Sequence, residues 1–405
     1  MVLTPLNIVD TENRATDPEP HAGLLRARMT DDTLYLDHAS TTPVRPEVVT
    51  AMQPFLSECF GNPSSGHGPG RAARAALEDA RARVAAALGA RPSEILFTGG
   101  GSEADNLAVL GRWRAAREGI ALSAIEHSAV RRSAAQAARE GAPITTLAVD
   151  EAGRLDEGAL AEALQTPRSV VSVMWGNNEV GVLQPVARIA EACRARGVVF
   201  HTDAVQAVGH VPVSVEAVPV DLLALSAHKF GGPKGVGALF VRDGVELEPL
   251  IHGGGQERGL RAGTSNVAGA VGLAEALDAA TSARSAESRR LAALRDRIQA
   301  ALEALPEVRV NAGKASRLPH VLSVRVGGVD PDVLIPSLDL AGLAVSSGSA
   351  CHSGAATPSH VLVALGAADD ATVRISLGWT TTEATVDRAI PRLVEVIERV
   401  RTVPA

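Results

Sequence analysis

Short apolar runs alternate with amphipathic helical stretches through the middle of this 405-residue chain. The apolar runs predict strands at Ile95–Thr98, 170–174, 198–202, Leu222–Ser226 and Gly237–Val241, and residues 70–88 and 186–196 are among the predicted helices. Alternation of this kind is typical of an α/β fold, in which helices cover both faces of a largely parallel sheet. Ligands bind at the carboxyl ends of such strands, so the loops that follow them are where we expect the chemistry.

The pattern changes after residue 266. A long helical stretch at 267–304 precedes shorter strand-like segments at Val308–Val310, Val321–Val326, 345–347 and 372–376. This change predicts a second, smaller α+β domain, with the long helix as the bridge between the two. We assign residues 45–283 to the large domain and residues 33–44 with 284–405 to the small domain. Residues 1–32 are polar and contain proline, which is typical of a loose N-terminal extension.

Composition narrows the functional classes. The net charge of −7 leaves no overall basic surface, so we expect neither nucleic acid nor a membrane as a partner. No apolar run approaches the roughly 18 residues of a membrane helix, and the N-terminus lacks the features of a signal peptide. The three cysteines, Cys59, Cys193 and Cys351, form no Cys-x-x-Cys pair, so we expect neither a disulfide framework nor a metal site. A cytoplasmic location, in which cysteines act as thiols, is the expectation.

Three glycines and a serine follow the first predicted strand, in the order T-G-G-G-S. Glycine allows close approach of the backbone to an anion, and a helix N-terminus offers free N–H groups, so Gly101 and Ser102 predict a phosphate site. Gly99, Gly101 and Ala104 also fit G-x-G-x-x-A, a weak dinucleotide signature, with Glu126 about twenty residues further on. A nicotinamide site therefore stays an alternative, as does a tight turn in which Ser102 only caps the helix.

A carboxylate and a lysine follow two other predicted strands. Asp203 is either a helix cap or a carboxylate that contacts the pyridinium nitrogen of a cofactor. Lys229 stands at the end of an apolar strand, where a lysine can lose its proton and form a Schiff base. Lys234 lies further from the strand end and is the weaker candidate. Ser226 and His228 flank Lys229 and can donate to a phosphate.

Cys351 lies in a run of small residues, S-S-G-S-A-C-H-S-G, whereas Cys193 falls in an apolar periodic segment. The run predicts a mobile loop with a reactive thiol, and the alternative is an incidental loop cysteine. His127 also follows a strand-like run. Arg374 occupies an alternating position of a predicted strand. It is either a surface charge or a guanidinium that binds a substrate carboxylate through two hydrogen bonds.

In this order and spacing, the motifs resemble those of the NifS/IscS-type cysteine desulfurases, in the class V branch of the fold type I pyridoxal-phosphate (PLP) enzymes. The resemblance extends from about residue 34 to about residue 399. The motifs that carry it are YLDHASTTP at 35–43, GNPSS at 61–65, NNEVG at 177–181, SAHK at 226–229, HGGGQER at 252–258, RAGT at 261–264 and SSGSAC at 346–351.

The resemblance implies a large domain with a mainly parallel, seven-stranded sheet flanked by helices, plus a smaller α+β domain that carries the cysteine loop. It also assigns roles to individual residues. Lys229 would hold PLP covalently, His127 would stack on its ring and assist proton transfers, Asp203 would pair with the ring nitrogen, and Gln206 would bind the phenolic oxygen. Gly101, Ser102, Ser226, His228 and the partner subunit's Thr264 would bind the phosphate, which implies a homodimer with shared sites. Asn178 would contact both the cofactor and the substrate carboxylate, and Arg374 would bind that carboxylate.

The activity implied by the resemblance is removal of sulfur from L-cysteine, which gives L-alanine and a persulfide on Cys351. The sulfur would pass to an acceptor such as an iron–sulfur scaffold protein, for cluster assembly or for tRNA thiolation. Transient ligation of an iron–sulfur cluster by Cys351 is a further expectation. A selenocysteine lyase or an aminotransferase stays an alternative within the PLP enzymes, although Cys351 disfavours the aminotransferase. Outside them, a nicotinamide oxidoreductase and a non-catalytic sulfur carrier stay open.

Overall fold

The computed structural model describes residues 32–347 and 358–401. Its strands are β1 Leu34–Tyr35, β2 Ile95–Thr98, β3 Gly119–Ser123, β4 Ile144–Leu147, β5 Arg168–Ser172, β6 Phe200–Asp203, β7 Leu222–Ser226, β8 Gly237–Val241, β9 Val308–Val310, β10 Val321–Val326, β11 Leu343–Ala344 and β12 Ala371–Ser376. Its α-helices are α1 Pro46–Met52, α2 Pro54–Ser57, α3 Gly68–Leu88, α4 Gly101–Asn106, α5 Arg112–Ala116, α6 Ser128–Arg139, α7 Glu157–Ala163, α8 Val186–Arg194, α9 Val267–Glu303, α10 Pro331–Leu340, α11 His360–Ala364 and α12 Glu383–Arg401.

Seven strands form one sheet, in the order β2-β8-β7-β6-β5-β3-β4. Neighbouring strands are parallel except at β8, which runs antiparallel to both β2 and β7. Alternate residues of β3 belong to opposite layers, because Ile120 and Leu122 pack in the cluster that contains Trp113 and Val130, whereas Ala121 packs in the largest core. Helices therefore cover both faces, which confirms the mainly parallel α/β architecture predicted from the sequence.

Several strand bounds differ by a few residues from those predicted. Strand β5 ends at Ser172, two residues early, because the Met174 N–H donates to the buried Glu126 carboxylate at 2.8 Å instead of extending the sheet. The prediction of a strand at 345–347 was wrong in position. Leu343–Ala344 is the strand, since these residues pair with β1, whereas Ser346 forms an isolated bridge to Arg374.

A smaller set of elements lies around the three-stranded sheet β12-β10-β9, whose strands are antiparallel. The short N-terminal strand β1 belongs with these elements, because it pairs in parallel with β11 and Asp37 bridges to Ser376 in β12. The carboxylate of Asp32, at the start of the described chain, accepts hydrogen bonds from Arg388 and Arg392 on α12. Residues 1–31 of the predicted extension lie outside the described residues.

Helix α9 contributes to two separate hydrophobic cores. Its first half, from Ala270 to Ala280, packs into the core beneath the seven-stranded sheet, and its second half, from Leu291 to Leu302, packs against β10, β12 and α12. The change from one core to the other falls between Ala280 and Leu291, which brackets the boundary at 283/284 drawn from the sequence. The domain boundaries themselves stay a prediction. No described helix combines the length and apolarity needed to span a bilayer.

Candidate active site

A cavity of about 310 Å³ lies at the carboxyl ends of β6 and β7, beside the N-terminus of α4. It is lined by ten of the twelve residues predicted for the site: Gly101, Ser102, His127, Asn178, Asp203, Gln206, Ser226, His228, Lys229 and Arg374. Thr264 is exposed and does not line this cavity. Cys351 lies outside the described residues.

One end of the cavity is formed by the turn between β2 and α4. Gly100 has a φ of 148°, and a Cβ on Gly101 would lie 2.7 Å from Val205 Cγ2, so a side chain at either position would be strained or crowded. The Glu103 carboxylate accepts the Gly99 N–H at 2.8 Å and pairs with Arg261 at 2.9 Å, which holds the turn in place. The N–H groups in the first turn of α4 lack intrahelical acceptors and are available to an anion.

Ser226 and His228 add side-chain donors to the cavity lining. Burial, with repulsion from Lys229 and Lys234, lowers the pKa of His228 to about 4, so its ring is neutral at physiological pH. His228 Nδ1 lies 3.2 Å from the Thr41 hydroxyl. When Nδ1 accepts from that hydroxyl, the Nε2–H is left to donate to an anion in the cavity.

Lys229 follows β7 in a short 3₁₀ turn, Ala227–Lys229, which directs its amine into the cavity. Its Nζ donates to the backbone carbonyls of Ala39 and Ser40 at 2.7 and 2.8 Å. Lys234, the other lysine considered from the sequence, is exposed and does not line the cavity. The geometry therefore favours Lys229 as the amine that reacts with a carbonyl cofactor.

A carboxylate and an imidazole lie close together in the cavity lining. Asp203, at the end of β6, accepts the Val205 N–H at 2.9 Å. His127 caps α6, and its Nδ1 accepts the Ala129 N–H at 3.2 Å. Burial raises the pKa of Asp203, and the nearby His127 ring, the Val205 N–H and Lys229 act in the opposite direction; burial also lowers the pKa of His127. The pair can therefore hold or exchange a proton beside a bound ring.

Gln206 is fixed at both ends of its amide. The amide nitrogen donates to the Ala39 carbonyl at 2.8 Å, and His320 Nε2 lies 3.3 Å from the amide oxygen. These two contacts orient the Gln206 amide. They do not use all of its hydrogen-bond donors, since one N–H of the amide group remains available to the cavity.

Arg374 projects from β12 and is only 2% exposed. Its Nη1 donates to the Asn178 carbonyl at 2.9 Å, and its Nη2 donates to Asp37 Oδ1 at 2.7 Å and to Ser40 Oγ at 2.6 Å. A buried guanidinium at the cavity wall is suited to an organic carboxylate, because its planar fork matches two oxygens. The alternative of a surface charge is wrong.

The cavity is also lined by polar residues that the sequence did not assign to the site, among them Ser40, Asp105, Glu179 and His360. Asp105 lies three residues after Ser102, on the same side of α4, so helical spacing from the glycine turn was a usable signal. His360 begins α11 and donates through Nε2 to the Glu126 carbonyl at 2.9 Å. Only the tertiary fold brings it to the site, 234 residues away along the chain from Glu126.

The dinucleotide alternative required an acidic residue near a ribose, and Glu126 was the candidate. Glu126 is fully buried, its carboxylate accepts the Met174 N–H, and it does not line the cavity. The same cavity contains Lys229 and Asp203, for which a nicotinamide site has no use. The structure therefore disfavours that alternative.

Comparison with known proteins places the chain in a family. The family model described as aminotransferase class-V matches residues 34–389. The cysteine desulfurase IscS of Dictyoglomus turgidum is 42% identical over 377 residues, which cover 91% of this chain and 96% of that protein. A solved NifS-like protein is 35% identical, with a TM-score of 0.84 and coverage of 91% of this chain and 100% of its own. The structure of SspA in complex with cysteine is 35% identical, with a TM-score of 0.75 and coverage of 85% and 99%.

Both the sequence identity and the coverage exceed what a shared fold alone would produce, and the motifs quoted from the sequence fall within the matched region. The chain therefore belongs to the class-V aminotransferase family and, within it, to the cysteine desulfurases of the IscS and NifS type.

Proposed function

We propose that this protein is a PLP-dependent cysteine desulfurase that transfers sulfur from L-cysteine to Cys351 and releases L-alanine. The family consists of PLP enzymes, and one structural relative is described in complex with cysteine. The observation that carries the proposal is that one cavity brings together a lysine, a buried carboxylate and a glycine-rich helix N-terminus, in Lys229, Asp203 and Gly101.

The cavity residues fit PLP in three respects. A Cβ at Gly101 would crowd Val205, so the turn that presents the N–H groups of α4 depends on glycine there, and Ser102, Ser226 and His228 supply side-chain donors in the same cavity. Asp203 is a buried acceptor suited to a protonated ring nitrogen, and Lys229 supplies the amine that holds the cofactor. When bound, PLP would withdraw electrons from the substrate Cα and so acidify its proton.

Protons in this site would be handled by Lys229 and His127. The Nζ of Lys229 would remove the Cα proton of the bound substrate, and the carbonyls of Ala39 and Ser40 would hold that amine in the cavity. Burial keeps the His127 ring neutral, so this imidazole can accept or return a proton within the cavity. Arg374 and Asn178 would orient the substrate by its carboxylate.

Cys351 would receive the sulfur. The described residues on both sides of the segment 348–357 lie at the site: Ser346 pairs with Arg374, and His360 lines the cavity. Cys351 comes about five residues after Ser346, which allows a reach of up to about 17 Å at about 3.5 Å per residue. In the transfer, the Cys351 thiolate bonds to the substrate sulfur, the Cβ–S bond breaks, and its electron pair stays on Cβ, which is protonated to the methyl group of alanine.

The persulfide sulfur would pass to an acceptor protein such as an iron–sulfur scaffold, and Cys351 would be available as a transient cluster ligand there. The sparse cysteine content supports a cytoplasmic location, where such thiols stay reduced.

A homodimer with shared sites is also part of the proposal. Thr264 is exposed and lies outside the cavity of its own subunit, which supports a role in the site of a second copy, and the apolar residues Leu56 and Phe60 are 69% and 76% exposed. Co-expression of K229A with T264A tests this: subunit exchange would place one intact site in each mixed dimer. Activity in the mixed sample, well above that of either variant alone, is the expected result, and its absence in a proven mixed dimer would contradict sharing.

The activity itself has a direct test. Purified protein supplied with PLP should absorb visible light and should release equimolar alanine and sulfide from L-cysteine in the presence of a thiol reductant. A protein that remains colourless after this treatment, or that releases neither product, would contradict the proposal.

A further inference from the structure

Four polar side chains form a buried line that begins at the cavity wall with Asp105 and continues through His201 and Ser172 to Glu126. Ser172 Oγ lies 2.9 Å from His201 Nδ1 and 3.4 Å from Glu126 Oε2. Glu126 Oε1 accepts the Met174 N–H at 2.8 Å. None of these four side chains is more than 1% exposed, so no bulk water solvates them.

The line has one gap, between Asp105 and His201. Among the residues that the structure describes, neither Asp105 Oδ1 nor His201 Nε2 has a hydrogen-bond partner, and the two atoms face each other at 3.6 Å. A movement of a few tenths of an ångström would bring them into hydrogen-bond range. Two buried, unpartnered polar atoms at this distance indicate that a proton is shared between them, because a buried polar group without a hydrogen bond destabilises the fold.

Asp105 also belongs to the cavity. Side-chain oxygen and nitrogen atoms of Asp105, Asp203 and His127 lie within 4.8 Å of one another, and Asp105 lines the cavity wall. Two ionised carboxylates this close in a buried site would repel each other strongly. The charged or titratable groups around Asp105 are His201 and Asp203 on β6, Glu126 and His127 before α6, and Lys229 after β7.

The surroundings favour a neutral Asp105. Burial, with repulsion from Asp203 and Glu126, raises the pKa of Asp105 well above its ordinary value, whereas burial lowers the pKa of His201 to about 3 and keeps that ring uncharged. A protonated carboxyl has both a donor and an acceptor, so it can bond to either tautomer of a neutral His201. An ionised Asp105 could bond to only one.

We propose that Asp105 is a positioning residue that stays protonated in the folded protein, shares a hydrogen bond with His201 and thereby adds no negative charge beside Asp203 in the cavity. Its effect on the cofactor rests on the proposed function, whereas the proton on Asp105 does not. Asp105 acts through Asp203: with Asp105 neutral, no like charge opposes the ionisation that Asp203 needs to pair with a ring nitrogen.

The first test uses infrared spectroscopy of the PLP-free protein at neutral pH, so it is independent of the proposed activity. The difference spectrum between wild type and D105N should contain the C=O stretching band of a protonated carboxylic acid, assigned to Asp105 because the variant lacks that carboxyl group. A carboxylate band in its place would overturn the proposal. D105N is close in shape and its amide can donate to His201, so loss of folding is not expected.

The second test uses the PLP-loaded protein. The pH midpoint of the visible absorption of bound cofactor should stay within about 0.3 pH unit of wild type in D105N, because no charge is removed. If Asp105 were ionised, D105N would remove a buried negative charge that lies within 4.8 Å of Asp203 and would lower that midpoint by more than about one unit. In D105A, the PLP dissociation constant should rise about tenfold, against less than about threefold in D105N, and equal effects of the two variants would overturn the role of the hydrogen bond.

Discussion

Ser346 and Arg374 pair backbone to backbone: the Arg374 N–H donates to the Ser346 carbonyl at 2.6 Å, and the Ser346 N–H returns a bond at 3.3 Å. The residue at the start of the segment that contains Cys351 is thus fixed to the strand that carries the buried guanidinium. His360, on the far side of the segment, lines the same cavity. The proposed substrate-binding group is therefore on β12, and the described chain that leads to Cys351 pairs with the same strand at Ser346.

The variant R374K should bind L-cysteine more weakly. Lysine keeps the charge but cannot bond at once to Asp37, Ser40, the Asn178 carbonyl and a substrate carboxylate, because it lacks the planar fork. We expect the KM for L-cysteine to rise about tenfold or more, with a smaller fall in kcat. Steady-state kinetics of alanine release measures both, and a KM equal to that of the wild type would contradict the assignment.

Replacement of Lys229 by alanine should abolish covalent attachment of PLP and lower kcat by at least about 100-fold. Lys234 provides the matched control, because it is exposed and outside the cavity. After borohydride reduction, peptide mass analysis should find the cofactor on the Lys229 peptide in wild type and K234A, and nowhere in K229A. Cofactor found on Lys234 would reassign the anchor.

A rescue experiment can test whether the glycine turn between β2 and α4 shapes the cofactor site. In G101A the new Cβ would meet Val205 Cγ2 at 2.7 Å, so the turn must shift and PLP affinity should fall about tenfold. The double variant G101A/V205A removes the obstructing methyl groups and should recover most of the affinity, as measured by equilibrium dialysis. If V205A gives no recovery, the crowding of Gly101 is not what shapes the site.

The chemistry-bearing loops could be predicted from the sequence because each follows a short apolar strand, a pattern visible without tertiary information. Lys229, Asp203 and Ser102 were found in this way, and the α/β class followed from the same alternation. Asp105 and His360 could not be assigned so readily, since their role depends on neighbours distant in the chain, such as His201 and Glu126. The strand at 345–347 was misplaced because the pairing of Leu343–Ala344 with β1 is a long-range contact.

A histidine cluster behind Lys229 predicts a pH dependence of stability. Burial lowers the pKa of both His38 and His210 to about 4, and the rings of His210 and His320 stack with centroids 3.8 Å apart. Histidine in the unfolded chain titrates near 6.5, so below that pH the unfolded state binds more protons than the folded state. The stabilisation is fully present above about pH 6.5 and is lost as the pH falls towards 4.

The variant H210Q isolates one contribution. Glutamine can still donate to the Lys229 carbonyl, which lies 3.3 Å from His210 Nε2, but it does not titrate. Between pH 7 and pH 4.5, the free energy of unfolding measured with urea should fall less in H210Q than in wild type, by up to about 3 kcal/mol. An identical slope for the two proteins would show that His210 does not carry this dependence.

Transfer of sulfur from L-cysteine to Cys351 can be followed on the protein itself by mass spectrometry. The PLP-loaded protein is mixed with one equivalent of L-cysteine without reductant, alkylated, digested and analysed, with C59S as a control because Cys59 is an exposed thiol. We expect one added sulfur atom on the Cys351 peptide, matched by one alanine per site, in both wild type and C59S, and no stable persulfide in C351S. Full alanine production with the added sulfur on Cys59, or undiminished sulfide release by C351S, would contradict transfer to Cys351.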